Sequence, residues 1–254
     1  MRAKSTLKYI ISALLLFASL TASAQLGDDD SGDSSTRPKE DIKGLHQFCF
    51  GVDIAQPVSA AFYKNRKCYE VSFDYYLGKE FYGVLEGGFG YASVDYPDLS
   101  YSSNNKFFRL GLNKSILVRL TSSDWDMGFI GFRYGFATIN RSAATYTIFD
   151  NFYGNSTGTI PAKDIFGHWL EIAGGMRVEL FAGINAGWTI RGKFLLNAKA
   201  FSELAPSYVA GYGKGDKGSV FDYNFYISYA LRWGKKKETM PKKDIAPAPT
   251  PLTK

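Results

Sequence analysis

Cysteine and histidine are almost missing from this chain of 254 residues: Cys49, Cys68, His46 and His168 are all it has. Two cysteines cannot make the disulfide framework of a small secreted domain, and they are badly placed even for one bridge. If residues 47–54 and 68–77 pair as a hairpin centred near residue 61, Cys49 faces residue 73. Cys68 is then about five residues off, roughly 17 Å at ~3.4 Å per residue, whereas a disulfide needs Cα atoms within about 7 Å. Two histidines so far apart exclude paired-histidine metal spacing, and no nucleophile elbow appears. No catalytic residue, metal or cofactor is therefore assigned.

Long apolar runs are lacking as well. The one notable run, "YIISALLLFASL", follows Arg2, Lys4 and Lys8 and precedes "ASA" at 22–24. That is the layout of a secretory signal peptide, and it falls short of the about 20 residues a spanning helix needs. No transmembrane helix is expected. Net charge of one sign is also weaker than it looks. The formal +6 draws three charges from the signal segment, and most of the remainder from "KKKETMPKKDIAPAPTPLTK" at the end. A nucleic-acid partner is therefore not expected, despite a pI near 9.1. Residues 25–44, "QLGDDDSGDSSTRPKEDIKG", have almost nothing apolar and are assigned to a disordered acidic linker. Residues 234–254 form a flexible basic, Pro-rich tail. "GYGKGDKG" (211–218) lacks the Lys-Ser/Thr ending of a phosphate loop and is taken as a mobile surface loop.

What the chain does have is alternation. In "VFDYNFYISYALRW" (220–233), Phe221, Tyr223, Phe225, Ile227, Tyr229, Leu231 and Trp233 occupy every second place. Period two marks a β-strand with two unlike faces. Eight such segments fall at about 46–55, 68–77, 81–92, 106–115, 126–139, 167–180, 186–197 and 220–233. Tight turns on one side and long loops on the other give an antiparallel up-and-down transmembrane β-barrel of eight strands over residues 45–233. Ten strands result if "TYTIF" (145–149) and "SYVAGYG" (207–213) also cross, but these are preferred as extensions above the membrane. An even count puts both barrel ends on the turn side.

The bulky face must point outward. The lumen of an eight-stranded barrel is only wide enough for side chains to fill, and some three dozen large apolar groups would not fit. The opposite face carries glycines and charge: Asp53, Glu70, Asp74, Glu86, Glu171, Glu179 and Asp222 with Arg109, Arg133, Arg177, Arg191, Lys193 and Arg232. Facing lipid at mid-depth, each base would cost about 2–4 kcal/mol, against a net stability of about 5–15 kcal/mol. Gly83, Gly87, Gly174 and Gly192 interrupt the outer band. Glu86, Arg109, Arg133, Glu171, Arg177 and Arg191 are expected to form a lumen ion network that neutralises itself and plugs the tube. Phe48, Tyr75, Phe81, Trp125, Trp188 and Trp233 are assigned to an interfacial aromatic girdle near the turns.

At "GFRYGFATINRSAATYTI" (131–148) and "HWLEIAGGMRVELFAGINAGWTIRGK" (168–193) the sequence resembles an uncharacterised bacterial family of exported β-barrels with only a domain-of-unknown-function label. "GVDIAQPV" (51–58) and "EVSFDYYLGKEFYGVLEGGFGY" (70–91) fit its beginning, and the likeness spans roughly residues 48–233. It implies an outer-membrane location and brings no activity. The residues after Trp233 depart from barrels that close on a terminal aromatic. The leading expectation is a non-enzymatic barrel in outer-membrane lipid, with an envelope or surface-interaction role. Its loops 140–166 and 198–219 would reach a surface ligand through Tyr146, Phe149, Phe152, Tyr153, Tyr208 and Tyr212. A narrow transport or ligand-binding barrel using the lumen charges is the alternative, and a membrane-embedded lipid-modifying enzyme the third reading.

Overall fold

The computed structural model describes residues 44–62, 65–117 and 125–234; the expected signal segment, nearly all of the acidic linker and the basic tail lie outside them. Ten strands follow one another: β1 (Leu45–Asp53), β2 (Arg66–Gly78), β3 (Phe81–Tyr96), β4 (Leu99–Ser115), β5 (Met127–Arg141), β6 (Ala144–Ile148), β7 (Ser156–Ile160), β8 (Lys163–Phe181), β9 (Ile184–Leu195) and β10 (Ser219–Gly234). Helix α1 (Ala55–Phe62) stands on the rim after β1. All pairings between strands are antiparallel.

Eight strands close into a ring in the order β1-β2-β3-β4-β5-β8-β9-β10, with β10 returning to β1. Closure gives each of the eight strands a hydrogen-bonded neighbour on both sides. The first and last strands meet along Leu45↔Gly234 to Asp53↔Tyr226, so both barrel ends lie at the turn side, as an even count requires. Cys49 lies opposite Asp74 and Cys68 opposite Gly90, and both thiols are free and buried.

The remaining two strands settle the choice between eight and ten. Strands β6 and β7 form a hairpin outside the ring, held to the upper end of β4 by Leu99↔Tyr146 and Ser100↔Thr145. "TYTIF" is thus an extension of the wall, as its sequence suggested. "SYVAGYG" is not. It makes only a tight bridge, Val209↔Gly213, and turns into the mouth of the tube. A second difference concerns residues 93–105, expected as a long loop. They continue β3 and β4 to a two-residue turn at 97–98, with sixteen register pairs between the strands. The reason is that Val94, Tyr101, Ser103 and Asn105 keep the inward alternation going.

Candidate functional site in a layered lumen

The inner wall is stacked in three layers. At the turn end Tyr76, Tyr82, Trp125, Met127 and Phe129 form an apolar floor. Tyr76 meets the Trp125 ring edge-on at 5.7 Å, and the Arg232 guanidinium lies 5.1 Å over its other side. Trp125 is therefore an inward residue and not part of the girdle assigned from sequence. It precedes β5 by two residues, and its aromatic partners lie inside the tube.

Above the floor is the charge layer. Six neighbouring strands each give one member: Glu70, Glu86, Arg109, Arg133, Glu171 and Arg191. Arg109 is the hub, 2.5 Å from Glu70, 2.9 Å from Glu86 and 3.4 Å from Glu171. Arg191 contacts Glu70 at 2.9 Å and Glu86 at 3.4 Å, and Arg133 reaches Glu86 at 3.2 Å. Three acids meet three bases, so the layer is neutral. Five of the six residues assigned to the network come together here. The sixth, Arg177, stands lower with Asp74 at 2.6 Å and lies 5.5 Å over the Tyr82 ring. Glu70 takes its place. A cavity of about 30 Å³ beside Glu70, Glu86, Arg133 and Asn224 has room for about one water.

The third layer is a cap. Cys68, Phe107, Ile139, Ile165, Trp169 and Leu195 of the wall surround Phe201, Val209, Ala210 and Tyr212 of the β9–β10 loop. Trp169 joins the layers, its indole N–H donating to Glu171 at 2.6 Å while its ring packs on Tyr212 at 5.5 Å. Lys193 holds the loop down, donating to the Gly211 carbonyl at 2.7 Å and pairing with Asp222 at 2.8 Å. Gly211 has φ +78°, and a Cβ there would lie 2.5 Å from the Phe107 ring, so glycine is required twice over. This corrects two expectations. Tyr212 is fully buried and Tyr208 packs against the cap, so neither is offered to a partner; of the expected surface loop 211–218, Gly211 and Tyr212 are held inside while Lys214, Asp216 and Lys217 are exposed.

Sequence reasoning missed that several large rings belong inside, because it treated bulk as an all-or-none property. The available signal was glycine. A Cβ at Gly135 would meet Trp169 at 2.5 Å, one at Gly88 would meet Phe107 at 2.6 Å, and one at Gly175 would meet Phe129 at 2.8 Å. Each inner ring occupies the space of a side chain its neighbour lacks.

The outer wall is the expected apolar coat. At the turn end His46 stacks between Tyr75 (6.1 Å) and Trp233 (5.8 Å), its Nδ1 2.8 Å from the Tyr75 hydroxyl. Phe48 lies against Phe73, and Lys114 sits over the Phe81 ring. Trp188 also faces outward, opposite Met176 and Phe225. A second aromatic row, not foreseen, runs nearer the loops: Tyr69 with Phe89 at 5.3 Å, Phe108 with Phe136 at 5.5 Å, and Phe166 with His168 at 6.0 Å. On β4, Lys106 and Lys114 bracket the outward Phe108, Leu110 and Leu112. Their spacing is about 27 Å along the strand at ~3.4 Å per residue, or roughly 20 Å of height at a usual barrel tilt.

The four other assigned loop residues, Tyr146, Phe149, Phe152 and Tyr153, are exposed on the β6–β7 hairpin. Asp150 Oδ1 accepts from the backbone N–H of Phe152 at 2.7 Å and of Tyr153 at 3.0 Å. These bonds favour its ionised form and hold its carboxyl below the ordinary value. Gly154-Asn155-Ser156-Thr157-Gly158 spells the Gly-x-Ser-x-Gly string of a nucleophile elbow, which the reading of the sequence overlooked. The context does not match, because Ser156 opens β7 of a hairpin and no helix follows.

A family model described as "Domain of unknown function (DUF6048)" matches residues 6–236. No curated protein matches the sequence. Two solved structures are similar at low identity. One is Ail, the attachment invasion locus protein of Yersinia pestis, in complex with the heparin analogue sucrose octasulfate. It is 6% identical over 75% of this chain and 100% of that one, with a TM-score of 0.41. The other is the N-terminal β-barrel domain of Pseudomonas aeruginosa OprF, 11% identical over 74% of this chain and 97% of that one, with a TM-score of 0.30.

Proposed function

The chain belongs to the DUF6048 family, whose function is unknown, and from that premise we propose an exported, non-enzymatic outer-membrane barrel that makes surface contacts through its β6–β7 hairpin. The wall supports the membrane part: large apolar side chains outside, and inside a buried layer in which Glu70, Glu86 and Glu171 meet Arg109, Arg133 and Arg191. The observation that carries the contact role is the hairpin tip. Phe152 and Tyr153 are 93% and 94% exposed on a turn that Asp150 holds in shape. Aromatic groups presented on an ordered scaffold are the anchors that protein partners bury. The outer edge of β7 pairs with no other described strand, which leaves backbone groups for a partner to take up.

The layered lumen speaks against the transport alternative. Each carboxylate of the charge layer is committed to a guanidinium, and apolar layers close over it on both sides. In planar bilayers the purified barrel is expected to pass no current above background. For the surface role, Phe152→Cys should be labelled on intact cells by a membrane-impermeant maleimide. Cys49 and Cys68 are buried, so the label reports the tip alone. Replacing Phe149, Phe152 and Tyr153 by serine should then abolish adhesion of the protein-bearing cells. Labelling only after lysis, or unchanged adhesion, would remove the proposal.

A further inference from the structure

Two grooves cross the outer wall and meet at Lys106. One, about 680 Å³, runs across β1 to β4 along Val52, Pro57, Tyr69, Val71 and Gly87. The other, about 710 Å³, lies on the far side of Phe89, among Asn104, Thr138, Asn140, Asp164 and Phe166. The first has the form of a channel for a flexible apolar chain, and its floor is a missing side chain. Gly87 sits between Val71 on β2 and Phe108 on β4, so the outer band is dented where both neighbours are large. A Cβ at Gly87 would meet only the Phe107 carbonyl at 3.6 Å and a Phe108 ring carbon at 3.7 Å. The wall could hold a side chain there, and the space is left open.

At the head of this channel stands a cation. Lys106 faces outward between Phe89 and Thr138 and makes no ion pair among the described residues. Lys67 stands one row nearer the loops, across from Tyr91. Of the acids that line the two grooves, Asp53 and Glu70 are buried, Glu70 on Arg109 and Arg191 and Asp53 on the Ala55 N–H, and Asp164 is engaged by the Asn140 amide at 2.5 Å. A lysine on the lipid face is costly at mid-depth and nearly free at the interface. Lys106, just beyond the last outward apolar residues of β4, is therefore at the depth of headgroup phosphates, where a negative counter-charge offsets its desolvation.

We infer that this wall is a binding site for an anionic, phosphate-bearing acyl lipid, its phosphate on Lys106 and one chain laid in the groove over Gly87. The inference rests on the reading of the coat as lipid-facing. Helix α1 fits the same boundary, since Asp53 caps its start at Ala55 N (2.7 Å) while Val58 and Phe62 remain exposed on one face.

The test uses the full chain in mild detergent, with flotation on vesicles as the first arm and native mass spectrometry as the second. The chain should float with vesicles. In the spectrometer it should retain one dioleoyl phosphatidylglycerol at least tenfold in preference to dioleoyl phosphatidylcholine. Gly87→Leu, which fills the groove without touching the lumen, and Lys106→Gln should each abolish that preference. Lys114→Gln, at the opposite rim, should keep it. Inorganic phosphate should not compete. Failure to float overturns the membrane reading and this site with it. Flotation with equal retention of both lipids, a preference that survives Gly87→Leu and Lys106→Gln, or full competition by phosphate overturns the site alone.

Discussion

The barrel has two long excursions at its loop end, and they do opposite things with similar material. Each carries two tyrosines, two serines and at least two glycines. The β5–β8 excursion folds into a hairpin that stands on the wall and exposes its aromatic tip. The β9–β10 excursion dives into the tube and buries Val209, Ala210 and Tyr212. What separates them is who satisfies the backbone. In the hairpin, the chain pairs with itself over Ala144–Ile148 and Ser156–Ile160. In the cap, wall side chains do it, with Lys193 on the Gly211 carbonyl and the Tyr101 hydroxyl accepting from Ser207 N. A loop that carries its own ladder can leave the body; one that lacks it must find its partners there.

The contrast can be broken from beneath. Arg109→Ala removes a cation facing three carboxylates, and stripping one partner from a buried ionic group costs about 3–5 kcal/mol. Urea denaturation in detergent should show that loss, with the cap opening early and the hairpin unaffected; an unchanged midpoint would mean the charge layer is not structural. Next in size is Tyr212→Ala, expected to cost roughly 3 kcal/mol as a buried ring lost from a packed layer. It should also make Trp169 quenchable by acrylamide. By contrast Phe152→Ala, on the exposed tip, should stay within about 0.5 kcal/mol of the parent, and a larger shift would mean the tip packs on something.

The smallest effect separates the excursions by pH. Asp150 has its pKa lowered by the Phe152 and Tyr153 N–H groups. Its contribution is therefore present above the ordinary value of 3.8 and is lost as pH falls through the lowered one. Tyr208 is the reverse. Burial first, then Cys68, raises its hydroxyl well above 10.0, so its contribution holds below pH 10 and drains away as pH climbs beyond. Amide exchange should loosen the hairpin tip only in acid and the cap only in alkali. Both loosening together at either extreme would show them to be one cooperative unit.

Much of this was legible in the sequence, for a physical reason. In a one-layer ring every residue points either in or out, so period two alone assigns facing, and with it the strands and the lumen charges. Legibility fell where that binary failed. Glu70 was placed on the inner face yet left out of the network, because its partner Arg109 is two strands away and only the tilt of the ring brings them together. Trp125 has no strand of its own to set its facing. Tyr208 and Tyr212 looked like loop residues because nothing local tells a loop that leaves from one that enters. The glycines that make room for it, Gly90 against Ala210 and Gly211 against Phe107, lie far apart in the chain.

The junction of β1 with β10 is chemically no different from any other in the ring, since Leu45 and Gly234 are ordinary ladder partners. A short glycine-serine splice across that junction, with new chain ends opened between Asp150 and Gly154, should therefore rebuild the same tube. Its termini would then emerge on the opposite side, and a fused module could be moved from one compartment to the other without altering a residue of the wall.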